Sequence, residues 1–314
     1  MSGKQPTNTK LIWESSNSQI ATVDENGLVT ALGVGDATIT ATATDGSGVK
    51  GTCKVTITAP WKEFEIGDYV VRKSNGEIEF FTSSTDAKNN GTVVGVVIYK
   101  GNPRVSDTKL PSTCTHGIAV GLGQGTSGLK WWSGTNNAEP YNLYKYTIYC
   151  PEDGFVTPVG VLYSGGGYVR NEYGQKPYGY NNTMLFKTFM SKYGITSDLI
   201  NNLNNYNVNL PNETSGWYLP SIYQFDYLWN KTYFNDGNML ASVEDTLVML
   251  SELGYADEMY VVDSEYWSST EKYDSYGDSS VAYYFCFDKA MYQPGFGTHL
   301  NKYWAVRVRS MLTF

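Results

Sequence analysis

The last fifty residues, Glu265 to Phe314, constrain the fold more than any other stretch because they contain three segments rich in aromatic and β-branched residues. The three segments are 265–271, 281–287 and 303–311. Composition of this kind is typical of β-strands. The loop 289–302 contains Pro294 and has no helical periodicity, and long loops of this kind usually carry function or are disordered. We therefore expect a rigid sheet that presents an aromatic, polar recognition surface.

The middle segment predicts which side chains face the core. Successive side chains of a strand point to opposite faces of its sheet. The alternation places Tyr283, Phe285 and Phe287 on one face, which we expect to be core. It places Tyr284 and Cys286 on the other face, which we expect to be displayed to solvent.

The candidate ligand-binding residues are the aromatic and polar side chains in and around these segments. Tyrosine suits such a surface because it offers a rigid ring and one hydroxyl group. The predicted set is Tyr273, Tyr276, Tyr284, Tyr292, Phe296, His299, Asn301 and Tyr303. The alternative interpretation is that the loop side chains pack only against one another, and the sequence leaves both open.

Other residues of the C-terminal half are predicted to be structural. Large aromatic side chains dominate cores, so three tryptophans are expected there: Trp217, Trp267 and Trp304. Arg307 and Arg309 alternate with two valines, which predicts one basic and one apolar face. We expect these arginines to pair with Glu265 or Glu271 rather than to bind a ligand.

Composition narrows the class of protein. Aromatic residues make up 15% of the 314 residues and charged residues 17%, which suits a β-rich surface protein. The formal net charge is −8 and no cluster of Lys or Arg interrupts it, so nucleic acid is not an expected partner. No run of eighteen apolar residues occurs, so no membrane insertion is expected.

The cysteines and histidines give no sign of a metal site or a catalytic centre. No two cysteines have C-x-x-C spacing, and the only histidines are His116 and His299. We expect most of the cysteines to be small buried residues and His116 to be a core histidine. Cys114 would share a strand face with His116, but no orienting acid is evident. We predict no catalytic residue, no metal and no cofactor.

Residues 1–59 are predicted to form a small all-β unit. Turn residues at 25–27 and 45–48 separate short β-branched runs. The predicted strands are 11–13, 19–23, 28–31, 37–43 and 53–58. In the fourth, Ala37 and Ile39 share one face while threonines occupy the other, as in a half-solvated sheet.

These runs resemble the bacterial Ig-like domain, group 2. The resemblance rests on 13–17, 20–24, 27–31 and 35–41. It implies an extracellular stalk module, with further Ig-like domains possible upstream. The opening strands of the family pattern are not evident before Trp13, so we expect a truncated sandwich with an unpaired edge near residues 10–25. We also expect a secreted gene product, although residues 1–6 lack the apolar core of a signal peptide.

Residues 60–314 are predicted to form an α+β domain. A hairpin at 67–81 precedes two buried strands at 93–99 and 114–122, and 133–180 is expected to be mostly loop. Three helices are predicted from apolar spacing and caps, at 182–190, 220–229 and 242–254. Strands that surround a helical insertion are typical of α+β folds.

Two motifs in this domain resemble a domain of unknown function from Bacteroidetes and Legionella surface proteins, which is related to the C-type lectin-like fold. They are the Leu-Pro-Ser motif within 216–221 and the Trp-Ser-Ser-Thr motif within 266–271. The resemblance implies a C-type lectin-like tip behind an Ig-like stalk, as in intimin and invasin adhesins. Glu139-Pro140 is followed by Tyr141 rather than the Asn of the calcium-binding motif, so calcium-dependent sugar binding is not expected.

Together these observations predict an extracellular adhesin or recognition module that binds a glycan or a protein without catalysis. Three alternatives stay open. The first is a retroelement-diversified binding protein on the same fold, because Tyr, Asn, Asp, Ser and Gly abound between Lys272 and Tyr303. The second is a structural tip subunit of a fimbria-like assembly, and the third is a glycan-active enzyme.

Overall fold

The chain consists of two compact units, Met1–Lys62 and Glu63–Phe314. The sequence predicts the boundary after residue 59, and the structure, a computed structural model, has it after Lys62. The structure describes residues 10–57, 61–122, 128–133, 143–156, 159–161, 178–206, 209–222, 224–225, 265–273, 281–286, 299–302 and 304–314. None of the helices described is long and apolar enough to cross a membrane.

Unit 1 contains the five strands that the β-branched runs predict. They are β1 (Leu11–Ser15), β2 (Ala21–Val23), β3 (Val29–Ala31), β4 (Gly35–Ala43) and β5 (Lys50–Ile57). A three-stranded antiparallel sheet has the order β1-β4-β5, and β2 pairs with β3 in a separate hairpin. Among the described residues β1 is an edge strand of the three-stranded sheet, and the truncation of the sandwich stays a prediction.

The core of unit 1 is small. Ala21, Ala37 and Ile39 are its buried centre, and partly buried apolar side chains that include Trp13 pack around them. The alternation predicted for β4 is confirmed at Ala37 and Ile39. Gly27 has φ +83, and a Cβ at this position would lie 2.7 Å from the Trp13 ring, so the turn before β3 requires glycine.

The first sheet of unit 2 has five strands in the order β14-β9-β8-β6-β7. The strands are β6 (Tyr69–Arg72), β7 (Ile78–Phe81), β8 (Thr92–Lys100), β9 (Gly117–Gly121) and β14 (Met311–Thr313). All neighbours are antiparallel, so the hairpin predicted at 67–81 is confirmed. The predicted buried strand at 93–99 is β8, which occupies the centre of the sheet.

The second sheet has the order β10-β11-β12-β13. Its strands are β10 (Val159–Val161), β11 (Glu265–Tyr273), β12 (Val281–Cys286) and β13 (His299–Asn301). β10 and β11 are parallel, and the other neighbours are antiparallel. The register of β11 against β12 shifts between Trp267 and Glu271.

The helices differ more from the prediction than the strands do. They are α1 (Ser84–Asn90), α2 (Leu143–Tyr149), α3 (Gly179–Tyr193) and α4 (Asp198–Asn205), with short 3-10 helices at Pro103–Val105 and Pro151–Asp153. The predicted first helix is α3, which begins at Gly179 rather than at residue 182. The expectation of mostly loop at 133–180 is wrong where α2 and β10 form. Of the helix predicted at 220–229, residues 222, 224 and 225 are helical, whereas 223 and 226–229 lie outside the described residues, as does all of 242–254.

The C-terminal segment 304–314 joins the two sheets of unit 2. Val306 bridges Leu129, and Arg307 bridges Tyr266 of the second sheet. Met311 then bridges Tyr218 as the chain enters β14 of the first sheet. Because one continuous backbone pairs with both sheets, this segment fixes their relative position.

Candidate recognition surface

Tyr284 does not lie on a displayed face. It is 8% exposed on β12, directly opposite Trp267 of β11. Its neighbour Tyr283, on the other face, packs against the core of the first sheet, and burial raises its pKa to about 12. β12 is an inner strand covered on both faces, so alternation does not separate core from display here. The expectation that Tyr284 is accessible is wrong.

The other predicted ligand-binding residues fall into two groups. For Tyr273, His299 and Asn301 the structure places the backbone: they pair with Val161, Tyr283 and Val281 respectively. The side chains of these three are not among the features described. The remaining four residues lie outside the described residues: Tyr276, Tyr292, Phe296 and Tyr303. Of the predicted core positions, Phe285 has only its backbone described, paired with Tyr266, and Phe287 lies outside the described residues. The binding role of the set stays a prediction.

The tryptophans divide between core and surface. Trp217 and Trp267 are buried, as predicted. Trp304 is 60% exposed, so the expectation that it is core is wrong. The reason is its position. The first backbone β-bridge of the C-terminal segment forms two residues later, between Val306 and Leu129.

Arg309, which the sequence predicts to pair with Glu265 or Glu271, has backbone carbonyl oxygens as partners in the structure. Arg309 is buried, and its Nη1 donates to the carbonyl oxygens of Gly121 (3.2 Å) and Leu122 (3.1 Å). Its guanidinium lies 5.9 Å from the centre of the Tyr266 ring. Backbone oxygens and an aromatic face thus accommodate this charge. The two Arg309 hydrogen bonds connect the end of β9 to the C-terminal segment.

Glu271 forms a buried ion pair with Lys302 instead. The Lys302 ammonium also lies 5.7 Å from the centre of the Trp131 ring, and the Trp131 amide donates to the Lys302 carbonyl at 3.1 Å. Three elements therefore meet at this point: β11, the chain after β13, and the Trp131 loop. The pair anchors the start of the C-terminal segment.

The two motifs that carry the C-type lectin-like resemblance are in direct contact. The Ser269 amide of Trp-Ser-Ser-Thr donates to the carbonyl of Pro220 in Leu-Pro-Ser at 2.7 Å. The Thr270 hydroxyl accepts from the Ile222 amide at 3.0 Å. These residues are buried, so the hydroxyl groups satisfy backbone groups that water cannot reach. The motifs are structural.

A buried polar network extends from these motifs to the start of α3. The side chain of the N-cap residue, Tyr178, does not cap this helix, and the Asp107 carboxylate accepts from the Asn181 amide at 2.9 Å. Burial raises the pKa of Asp107 to about 6, against the effect of its amide donors. Asn182 Nδ2 donates to the Ser269 carbonyl at 3.2 Å. Asp107 therefore caps α3 from another part of the chain.

The described cysteines are free thiols in three environments. Cys53 is exposed, Cys150 is half-buried and Cys114 is buried, so only one of the three described cysteines fits the expectation that most are small buried residues. The Cys114 thiol lies 3.4 Å from the Thr313 carbonyl, and burial raises its pKa to about 11. The His116 ring contacts the Thr115 hydroxyl at 3.1 Å, and burial lowers its pKa. Within the described part of the chain, no group of three or more His, Cys, Asp or Glu side chains could hold a metal ion.

The structure also reveals an aromatic surface that the sequence did not indicate, at the C-terminal ends of α2 and α3. Tyr149 is 75% exposed and Tyr193 is 52% exposed. The helix ends meet where Lys192 Nζ lies 3.1 Å from Cys150 Sγ. In the sequence, the signal is a tyrosine at the end of each of the segments that form α2 and α3. Because the chain has 26 tyrosines, these two stand out only once α2 packs against α3.

The N-terminal unit is similar to a known protein family. Residues 2–56 match the family model of the bacterial Ig-like domain (group 2). The Ig-like prediction for the N-terminal unit is therefore confirmed. Two uncharacterized proteins of Clostridium acetobutylicum are similar to part of the chain, with 49% identity over 51 residues and 36% over 77 residues. These stretches are 16% and 24% of this chain, and they span only 13% and 8% of the relatives' lengths.

One similar solved structure covers nearly the whole chain. It is the crystal structure of a fimbrial protein from Bacteroides ovatus, with a TM-score of 0.61 and 18% sequence identity. The similarity covers 98% of this chain and 65% of the fimbrial protein. At this identity the similarity concerns the fold alone. The fold is accordingly a set of β-sheets with a few helices behind an Ig-like N-terminal domain, of the kind that a fimbrial protein has.

Proposed function

We propose that this protein is an extracellular, non-enzymatic subunit of a fimbria-like surface assembly. The observation that carries the proposal is the fold similarity to a fimbrial protein over 98% of the chain. The Ig-like match at residues 2–56 supports a surface location, because such domains are typically stalk modules. The buried position of Tyr284 favours a structural subunit over the displayed surface predicted from sequence.

Unit 2 is, in this proposal, a C-type lectin-like domain. The support is the direct contact between the Leu-Pro-Ser and Trp-Ser-Ser-Thr motifs, at Ser269 and Pro220, together with strands that precede and follow α3 and α4 along the chain. The motifs serve the scaffold in this arrangement. Any ligand-binding residues of unit 2 then lie outside these two motifs.

The second candidate function is recognition of an extracellular glycan or protein, as in an adhesin. The exposed tyrosines at the ends of α2 and α3 favour it, because large exposed aromatics are typical of interaction sites. In the retroelement-diversified form of this role, the ligand-binding residues lie in the 272–303 stretch. A tip subunit can combine both candidate functions.

The test is immunogold electron microscopy of the bacterium that carries the gene. An epitope inserted at Gly46 provides the label, because this turn residue is exposed and a Cβ there meets no atom within 4 Å. We expect gold particles on surface filaments, and loss of that label when the gene for the main filament subunit is deleted. Label confined to the cytoplasm, or spread over the cell surface independently of filaments, contradicts the assembly role.

A further inference from the structure

We propose that Cys150 and Lys192 form a peroxide-dependent covalent cross-link, a sulfenamide bond between the sulfur of one side chain and the amine nitrogen of the other. Cys150 directly follows α2, and Lys192 lies in the last turn of α3. The two side chains meet, with 3.1 Å from Lys192 Nζ to Cys150 Sγ. The inference goes beyond the assembly and recognition roles, and its test depends on neither.

The ends of two helices hold the reacting atoms in place. The Cys150 amide donates to the Tyr146 carbonyl at 2.8 Å, and the Cys150 carbonyl accepts from the Asp153 amide at 3.2 Å. The Lys192 ammonium lies 5.1 Å from the centre of the Tyr146 ring, which is buried. Because the end of a helix carries each reacting atom, the amine stays beside the sulfur while the sulfur reacts.

The charges around the pair favour a thiolate beside an ammonium group. The hydrogen bond to Cys150 is the main cause that raises the pKa of Lys192, and the nearby Asp153 carboxylate acts in the same direction. The other charged residues of α2, α3 and the short 3-10 helix after α2 are Lys145, Lys187 and Glu152. Among the described side chains, Lys192 is the one cation that contacts the sulfur. A thiolate is the form of cysteine that oxidants attack.

The environment of Cys150 differs from that of the other described cysteines. Cys114 is buried, and burial raises its pKa to about 11, so this thiol resists oxidation. Cys53 is exposed, but its sulfur lies 3.7 Å from the Lys54 carbonyl and contacts no amine that the structure describes. Cys150 is half-buried and Lys192 is exposed, so a small oxidant can reach the pair. Cys150 therefore combines an accessible thiol with an adjacent amine.

The oxidant is hydrogen peroxide or another hydroperoxide. The thiolate attacks one peroxide oxygen, so that an S–O bond forms, the O–O bond breaks, and the departing hydroxide takes a proton from the Lys192 ammonium to give water. Cys150 is then a sulfenic acid and Lys192 a neutral amine. The amine nitrogen attacks the sulfur, the S–N bond forms as the S–O bond breaks, and hydroxide leaves with a proton from the nitrogen as a second water. The sulfur loses two electrons, and one peroxide gains them.

The cross-link joins two helix ends that are 42 residues apart in the sequence. Closing a loop of this length restricts the unfolded chain, and we expect the melting temperature of the oxidised protein to rise by roughly 5 °C. A thiol reductant attacks the sulfur and releases the amine, and a second thiol then restores Cys150. The bond is therefore a reversible connection between α2 and α3.

The experiment treats the purified full chain with hydrogen peroxide, alkylates the remaining thiols and digests the product with trypsin. Trypsin cleaves after Lys145, Arg170 and Lys187, and it no longer cleaves after a modified Lys192. We expect peptide 146–170 joined to peptide 188–231, with a mass about 2 Da below the sum of the two. Dithiothreitol should abolish both this linked species and the rise in melting temperature.

The Lys192→Arg variant separates the amine from its charge, because a guanidinium group stays protonated. Lys192 is exposed, so the fold should tolerate the change. This variant should give no linked peptide, and dimedone should trap at least about fivefold more Cys150 sulfenic acid than in the wild type. Lys109→Arg is the matched control, since Lys109 Nζ donates to the Asp153 carbonyl and not to the sulfur, and the linked peptide should form as in the wild type.

Four results would overturn the proposal. Peroxide that leaves the Cys150 thiol unmodified removes its first step. Equal dimedone labelling of the wild type and Lys192→Arg, without a linked peptide, means that the amine does not capture the sulfenic acid. A disulfide from Cys150 to another cysteine makes a thiol the partner. A linked species about 14 Da heavier than the two peptides contains an additional oxygen atom and excludes the direct S–N bond. None of these results bears on the assembly role, which the labelled filaments test.

Discussion

Glu271 of β11 and Lys302, two β-strands later in the chain, form an ion pair that the surrounding protein shields from water. Transfer of each charge out of water is costly, and the pair is tolerated because the two charges compensate each other. Lys302 lies just before the segment that joins the two sheets. The pair therefore fixes the entry of that segment into the fold.

Removal of one member should destabilise unit 2 strongly. Lys302→Met leaves the Glu271 carboxylate buried without its ammonium, and the free energy of unfolding should fall by about 3–5 kcal/mol. The double variant Glu271→Gln/Lys302→Met should recover much of that loss. Urea unfolding followed by tryptophan fluorescence measures both. The control is Lys100→Met, which removes the solvent-exposed pair with Glu65 and should cost less than about 1 kcal/mol. Equal effects of Lys302→Met and Lys100→Met would contradict the shielded character of the pair.

Tyr284 and Trp304 should respond to truncation in opposite ways. Tyr284→Ala empties a buried position opposite Trp267 and should cost about 3–5 kcal/mol, as for other buried aromatics. Trp304→Ala removes an exposed ring and should change the stability by no more than about 0.5 kcal/mol. Thermal unfolding of both variants measures the contrast. A Tyr284→Ala protein as stable as the wild type would restore the displayed face that the sequence predicts.

The carboxyl of Asp107 should make the stability of unit 2 depend on pH in an unusual direction. Its pKa is raised by burial to about 6, above the ordinary value of 3.8, so the folded state binds the proton more tightly than the unfolded state. Its contribution to stability is fully present below about pH 4 and is lost as the pH rises through 6. A shift of about two units corresponds to about 3 kcal/mol.

The Asp107→Asn variant should therefore show a smaller loss of stability between pH 4 and pH 7 than the wild type. Urea unfolding at half-unit pH steps gives the two profiles. Asp86→Asn, an exposed carboxyl in α1, is the control and should leave the wild-type profile unchanged. A wild-type stability that rises more steeply than that of Asp107→Asn across this range would show that the amide donors outweigh burial at this carboxyl.

The thiols of Cys53 and Cys114 should differ in reactivity by orders of magnitude. Cys53 is exposed, whereas Cys114 is buried and its pKa is raised to about 11, so almost no thiolate forms at pH 8. Alkylation with iodoacetamide, followed by peptide mass spectrometry, should label Cys53 within minutes and Cys114 only in denaturant. Comparable labelling of the two thiols in the native protein would mean that the β9–β14 region opens readily.

The sequence predicted the strands better than the helices, and particular residues explain why. The strands of unit 1 and the central strand β8 follow from β-branched runs between turn residues, which is a local signal. α4 carries a local signal too, a Ser197 cap before Leu199, Ile200 and Leu203, but the asparagines around it weaken the helical pattern. α2 lies in a stretch whose Gly and Asn content favoured loop.

The surface residues were harder to predict because exposure depends on partners far along the chain. Tyr284 is buried because both faces of β12 are covered, and an alternating sequence does not reveal a strand of that kind. Trp304 is exposed because the bridging segment begins only at Val306. The surface of Tyr149 and Tyr193 requires the contact of two helices that the sequence did not pair.

The position of β14 has a consequence for the way the protein is made. The first sheet places this last strand beside β9, which belongs to the first half of the chain, and the same segment closes the second sheet. During synthesis, one edge of β9 therefore stays unpaired until residues 311–313 have left the ribosome. The described strands of unit 1 pair only with one another, so this unit can fold while unit 2 is still being translated. A chain that is to be secreted would thus keep its larger unit incompletely folded, and competent for translocation, until residues 311–313 have been synthesised.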